Sequence, residues 1–324
     1  MASFGYSLMC ELHDPRDLLT QASRAEESGF DFVTISDHYH PWLRSHRHSP
    51  YAWSVLGALA VRTSAVDLVS FVTCPTFRYH PAIVAQKAAT VATMSGGRFA
   101  LGVGAGENLN EHVVGRGWPP AHVRQEMLAE AIEIIRSLWA GGYYKHEGKH
   151  FTVHDARIFT LPDDPPPIYV AAGGSASIAL AARTGDGIVA TEPKREIVEA
   201  FDAAAGAGKP KYGQLAVAVD DDEARARRVA HELFRFSAPG WKVMAELPNP
   251  VNFEAATAIV REEDVAETIP CGADVNRHLA AITKWIRAGF DRIAIVPLGD
   301  LDRFFELWEQ ELHPRLQSTT VGVA

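Results

Sequence analysis

Cysteine is scarce, with three in 324 residues. Cys10, Cys74 and Cys271 have no CxxC or metal-finger spacing, and an odd number offers no disulfide framework for so large a domain, so a reducing cytoplasm is the expected setting. Basic charge is also short. Lys and Arg number 31 against 40 Asp and Glu, a formal net charge of −9, which excludes a surface devoted to nucleic acid or anionic lipid, because both need clustered cations. No segment has the ~18 consecutive apolar residues that span a bilayer, and the opening MASFGYSLMCELHDP meets acidic residues before a signal-length apolar run can form. Neither secretion nor membrane insertion is expected. The first strand-to-helix turn lacks the GxGxxG that an open dinucleotide-binding sheet needs there. Glu111 and His112 do not form HExxH, so no metal site is expected.

What is present suits an ordinary globular core: hydrophobic residues make up 47% of the chain and charged residues 22%. The length fits a (β/α)8 TIM barrel, for which about 250 residues plus insertions is usual. Short apolar runs at 4–10, 30–36, 66–73, 98–103, 168–172, 187–191, 214–219 and 292–296 alternate with helical patterns, as a parallel sheet with crossover helices requires. Asp14 and Pro15 start the first helix and Gly29 follows its end. Two stretches break the rhythm. Residues 141–167 hold a small hairpin around Gly148 and the run DDPPP, and residues 237–271 are Pro-rich with one helix over 253–261. Both are read as insertions in a single domain spanning 1–324, with the tail after Gln317 frayed.

In such a barrel the active site lies at the C-terminal ends of the strands, so polar residues just after each apolar run are the candidates. The second strand ends in Asp37, His38, Tyr39, His40, Pro41 and Trp42. A histidine there serves as a general base near neutral pH, with Asp37 orienting it or Trp42 forming a wall; the alternative is a polar loop without a role, since 14 histidines make clustering cheap. The fourth strand ends in Gly104, Ala105, Gly106 and Glu107. Small residues let the backbone approach a ligand and aim Glu107 into the mouth, or else Glu107 merely caps the next helix. The loop 171–177, AAGGSAS, runs into a helix N-terminus, where it can cradle a phosphate, form a tight turn with a serine cap, or do both. Thr191 and Lys194 follow the sixth strand and suit an anionic substrate group, although a lone lysine is more often solvated.

Four runs, SDHYHPW at 36–42, TCPTFRYHPAIVAQ at 73–86, GGRFALGVGAGENLNEH at 96–112 and AAGGSAS, together resemble the F420-dependent members of the luciferase-like superfamily. Within it the chain is most similar to the F420-dependent glucose-6-phosphate dehydrogenase group. The resemblance implies a homodimeric (β/α)8 barrel with insertions at strand ends, holding coenzyme F420 and moving a hydride from an alcohol or sugar carbon. It implies a non-prolyl cis peptide near Phe71-Val72 behind the cofactor ring. Carried over, Asp37, Phe71, Val72, Gly106, Asn110, Gly173 and Gly174 contact the cofactor, His38 is the base, Trp42 packs at the reacting centre, and Glu107 is the acid that also touches the cofactor. Thr191 and Lys194 match two members of the sugar-phosphate grip; its other lysine and its arginine have no clear counterpart in 240–271. Arg261, Arg277 and Lys284 lie nearby at helical positions that favour solvent. An FMN-dependent monooxygenase and a non-catalytic barrel that binds a cofactor or ligand are the competing readings.

Overall fold

The computed structural model describes residues 2–321. Eight strands close a parallel barrel, and the alternation read from the sequence is the order in which they form. These strands are β1 (Ser3–Leu8), β2 (Phe32–Ile35), β3 (Asp67–Ser70), β4 (Phe99–Val103), β7 (Ile168–Ala171), β8 (Gly187–Ala190), β9 (Lys211–Val219) and β10 (Arg292–Gly299). The barrel runs β1-β10-β9-β8-β7-β4-β3-β2, and every neighbouring pair is parallel. Between β4 and β7 lies the predicted hairpin, β5 (Tyr144–Glu147) and β6 (Thr152–Ala156). It is held to the helix beneath it by Glu130, whose carboxylate accepts the Phe151 amide at 2.9 Å.

Between β1 and β7 come α1 (Pro15–Glu27), α2 (Ala52–Arg62), α3 (Pro81–Met94), the single turn α4 (Asn108–Glu111) and α5 (Ala121–Trp139). They are followed by α6 (Ser175–Thr184), α7 (Arg195–Phe201), α8 (Glu223–Phe234), α9 (Trp241–Met244), α10 (Pro250–Ala256), α11 (Glu262–Ala266), α12 (Val275–Ala288), α13 (Leu301–Leu307) and α14 (His313–Val321). Asp14 caps α1 through its side chain, as expected. The second insertion differs from expectation. In place of one helix over 253–261 it holds α9, α10 and α11, each too short for a helical period to stand out in sequence. The chain also stays helical through Val321 instead of fraying after Gln317. Among the described residues no helix is long and apolar enough to cross a membrane.

The barrel interior is layered. Phe32, Val69, Ala100, Tyr169, Val189, Tyr212 and Ala294, from seven strands, pack as one cluster. Gly5 contributes space from the eighth, since a Cβ there would lie 2.0 Å from the Phe32 ring. Burying each large ring is worth roughly 2–3 kcal/mol, so this layer is a rigid plug. Above it Ser7 and Thr34 share a hydrogen bond at 2.7 Å, and on top stand Phe71, Val72 and Ala171, only partly buried. The Phe71–Val72 peptide is cis. Gly104 makes room for Val72, whose side chain would lie 2.8 Å from a Cβ there, and Gly102 makes room chiefly for the Ser70 carbonyl, whose oxygen would lie 2.0 Å from one.

Candidate active site

The chain leaves β2 through Ser36 and Asp37 to His38, which is buried at the barrel mouth. Its Nδ1 lies 3.0 Å from Oε1 of Glu11, and its Nε2 lies 3.6 Å from Oε2 of Glu107. Trp42 packs against the imidazole, with ring centroids 4.6 Å apart and planes at 64°. Glu11 follows β1 and is wholly buried. Its Oε2 accepts from the Ser36 hydroxyl at 2.7 Å, and that hydroxyl accepts the Cys10 amide at 3.0 Å. Glu11 Oε1 and His38 Nδ1 are sealed from solvent, and among the described residues they have only each other.

Burial favours a neutral imidazole, but the carboxylates of Glu11 and Glu107 outweigh it and raise His38 to about 9. Burial would equally raise Glu11, yet the facing imidazole wins and lowers it to about 2. Glu107 goes the other way: burial raises it, and His38 only partly offsets the rise. The line Glu11–His38–Glu107 is therefore an ion pair with a more easily protonated acid at its far end.

Glu107 follows β4 through Gly104, Ala105 and Gly106. Gly106 has φ +83°, and a Cβ there would sit 2.6 Å from the Cys74 sulfur, so glycine is required by both conformation and space. Glu107 precedes α4 without capping it through its side chain. Its carboxylate instead accepts from the Asn110 side-chain amide at 2.9 Å. Asn110 Oδ1 accepts the Tyr39 and His40 amides at 2.8 and 3.2 Å, which ties the loop after β2 to the loop after β4. The expected cofactor ligand Asn110 is thus committed to protein at both ends of its amide.

Asp37 is similarly enclosed. Oδ2 accepts from Thr73 Oγ1 at 2.8 Å and Trp53 Nε1 at 3.2 Å, and Oδ1 accepts from the Tyr79 hydroxyl at 3.2 Å. Arg78 Nη2 lies 3.2 Å from Asp37 Oδ1, and its Nε lies 3.4 Å from Glu111. Burial raises Glu111 to about 7 against the pull of Arg78. With four donors on it, Asp37 anchors the loop and presents no free oxygen to a cofactor.

The far rim is open. Gly173, Gly174, Thr191 and Lys194 are exposed. Ser177 Oγ accepts the Gly174 amide at 3.1 Å, and the first-turn amides of α6 have no helical acceptor below them. Lys194 pairs with Glu192 at 2.9 Å on the surface. Arg261 and Arg277 are engaged by Asp264 and Glu223, and Lys284 is exposed. His38, Trp42 and Glu107 are therefore brought together, whereas among the described residues no direct contact joins Thr191 or Lys194 to them. Glu11 was overlooked in the sequence, although an acidic residue just past the first apolar run follows the rule that singled out Asp37. Arg78, Glu111 and the aromatic partners of Trp42 carried no signal of their own.

A family model described as luciferase-like monooxygenase matches residues 3–292. An F420-dependent glucose-6-phosphate dehydrogenase of Beutenbergia cavernae is 35% identical over 98% of both chains, and one of Microbacterium testaceum is 36% identical over 97% of both. Among solved structures, an F420-dependent secondary alcohol dehydrogenase in complex with an F420-acetone adduct superposes with a TM-score of 0.89 at 30% identity, over 95% of this chain and 97% of that one.

Proposed function

The chain belongs to the luciferase-like monooxygenase family, and within it we propose an F420-dependent dehydrogenase that oxidises an alcohol or sugar at its CH–OH carbon. The observation that carries this reading is the buried line Glu11–His38–Glu107 at the barrel mouth. His38 Nε2, on the ring edge away from Glu11, takes the substrate's hydroxyl proton as the carbinol carbon loses hydride and becomes a carbonyl. Glu11 holds Nδ1, fixing the ring and stabilising the imidazolium that forms. Glu107, with its raised affinity for a proton, is the acid of the site.

The residues present fit a flat ring with an anionic tail. Phe71, Val72 and Ala171 give a partly exposed apolar floor above the aromatic layer, and the first-turn amides of α6, beside the exposed Gly173-Gly174 turn, are there for a phosphate. When bound there, coenzyme F420 supplies the hydride acceptor. Gly106 and Asn110 shape the loop that places Glu107, and Asp37 anchors the loop that carries His38. Family membership and three buried free thiols underlie our reading of the enzyme as a cytoplasmic homodimer.

Titration with F420 and with FMN, followed by assay against phosphorylated and neutral alcohols, tests the proposal. Binding of F420 and its reduction at the expense of an alcohol is expected. Tight FMN binding with none of F420 would point to a flavin monooxygenase, and F420 binding with no turnover of any alcohol to a binding barrel.

A further inference from the structure

Three loops meet at one guanidinium. Arg78 stands between β3 and α3, and its side chain is only 8% exposed. Its Nη2 donates to the Asp37 carbonyl at 2.9 Å and lies 3.2 Å from Asp37 Oδ1. That carbonyl belongs to the peptide that carries His38, so the bond fixes the base at its backbone. The Arg78 amide donates to Glu111 Oε2 at 2.8 Å, and the side-chain Nε lies 3.4 Å from Glu111 Oε1. Glu111 ends α4, the single turn that Glu107 leads into. The loops of the base and the acid therefore share one side chain from a third loop.

Arginine suits this place. Its planar fork meets acceptors in two directions at fixed angles, which a lysine cannot do. The guanidinium also lies over the Tyr79 ring, 4.6 Å from its centroid, while the Tyr79 hydroxyl donates to Asp37 Oδ1. Burial works against the charge of Arg78, but Asp37 and Glu111 outweigh it and hold the proton more tightly than usual.

That charge acts on the proton-moving groups. Burial opposes the His38 imidazolium, Glu11 and Glu107 favour it, and Arg78 opposes it again. Burial raises Glu107, and His38, Asn110 and Arg78 pull it back. The other titratable neighbours do not compete. Burial keeps the Cys74 thiol and the Tyr79 hydroxyl protonated, and it keeps His46 neutral by lowering it to about 4. Lys87 bonds the Tyr51 hydroxyl and lies 3.3 Å from the Tyr79 ring centroid, so its contacts are with those rings.

We propose that Arg78 is a positioning residue for the proton transfer: its guanidinium locks the loops of His38 and Glu107 into one frame, and its charge opposes the imidazolium. This rests on the F420-dehydrogenase reading above. The test is the pH–rate profile of F420 reduction with the alcohol that the wild type turns over fastest, beside F420 binding by fluorescence quenching. Arg78→Gln keeps a donor and removes the charge, so the rising limb should move to higher pH by at least about half a unit, opposite to the shift expected without Glu11. Arg78→Lys keeps the charge and loses the fork, so the limb should stay in place while kcat on its plateau falls about tenfold, with KM and F420 affinity within about threefold. A folded Arg78→Gln whose limb stays or moves down overturns the proposal alone, and so does wild-type kcat in Arg78→Lys. If Arg78→Gln does not fold, kcat of Arg78→Lys decides. A wild type that fails to bind F420, or to reduce it with any alcohol, overturns the underlying reading and the proposal with it.

Discussion

The two sides of the barrel mouth are built on opposite plans. On the side of β1 to β4, Glu11, Asp37, His38, Asn110 and Glu111 are all buried, and their bonds run between loops far apart in sequence. On the side of β7 and β8, Gly173, Gly174, Thr191 and Lys194 are exposed, and their bonds are to neighbours within four residues. The difference reflects what each side has to do. Moving a proton needs a shifted pKa, and a shift needs burial with fixed partners. Holding an anion needs amides that are still unoccupied. The first side is finished without a ligand; on the second the Gly173 and Gly174 amides meet Ser177 Oγ, which leaves the first-turn amides of α6 as the ones an anion would use.

The largest effect should come from the closed side. His38→Ala should lower kcat by about 100-fold or more while leaving F420 affinity within a few fold, since the ring acts on the substrate's proton. Turnover close to wild type would remove His38 from its role.

Next comes the ion pair behind it. A base must be neutral to accept a proton, so with His38 at about 9 alcohol oxidation by the wild type should climb with pH toward that value. Glu11→Gln removes the charge that holds the imidazolium, and burial then pulls the ring down, so the rising limb should move to lower pH by at least about one unit. The pair also acts on stability, in two windows. His38 is raised, so its contribution is whole below its ordinary value near 6.5 and fades as pH rises through about 9. Glu11 is lowered, so its contribution is present above its ordinary value near 4.5 and lost as pH falls through about 2. Urea midpoints measured against pH should show this dependence in the wild type and lose it in Glu11→Gln. A pH–rate limb that stays in place would mean that Glu11 does not set the His38 proton.

That closed side is also where reading the sequence succeeded and failed by turns. The strands were legible because each is a short apolar run between turn signals, and His38 and Glu107 were legible because they stand just past such runs. Glu11 was not, because the residues ELHDP lead into the Asp14 cap and Pro15 and read as the approach to a helix. Asp37 and Asn110 were found, but whether a polar side chain faces a ligand or four protein donors depends on Thr73, Trp53, Tyr79 and the loop after β4, which only the fold brings together. The aromatic wall that Phe236 and Phe253 form around Trp42 was invisible for the same reason. Phe236 sits in the single turn that follows α8, and Phe253 comes from a Pro-rich stretch whose helices are one or two turns long.

On the open side the expected effects are smaller. Gly174 is the N-cap of α6 with φ −113° and ψ 160°, and a Cβ there meets nothing nearer than Ser177 Oγ at 4.0 Å. Aspartate is a favoured N-cap, so Gly174→Asp should fold at least as well as the wild type. Its charge would nonetheless oppose a phosphate at the same amides, and F420 affinity should fall about tenfold with kcat at saturating cofactor nearly unchanged. Unaltered affinity would place the cofactor's anionic tail elsewhere.

The smallest effect is expected at Lys194, and it decides whether the open side grips substrate at all. The ammonium is exposed and bonded to Glu192, so bringing it to a substrate phosphate means breaking that pair and swinging a solvated side chain inward. Exposed pairs of this kind contribute little, and the neighbouring carboxylate would repel the dianion that the lysine was meant to hold. Lys194→Ala should therefore change kcat/KM by less than about twofold for neutral alcohols and for glucose 6-phosphate alike. A loss of about tenfold or more confined to glucose 6-phosphate would mean that Lys194 leaves Glu192 for the substrate. The rim after β8 would then belong with the proton-moving side as a built part of the site, and the contrast between the two halves of the mouth would fail.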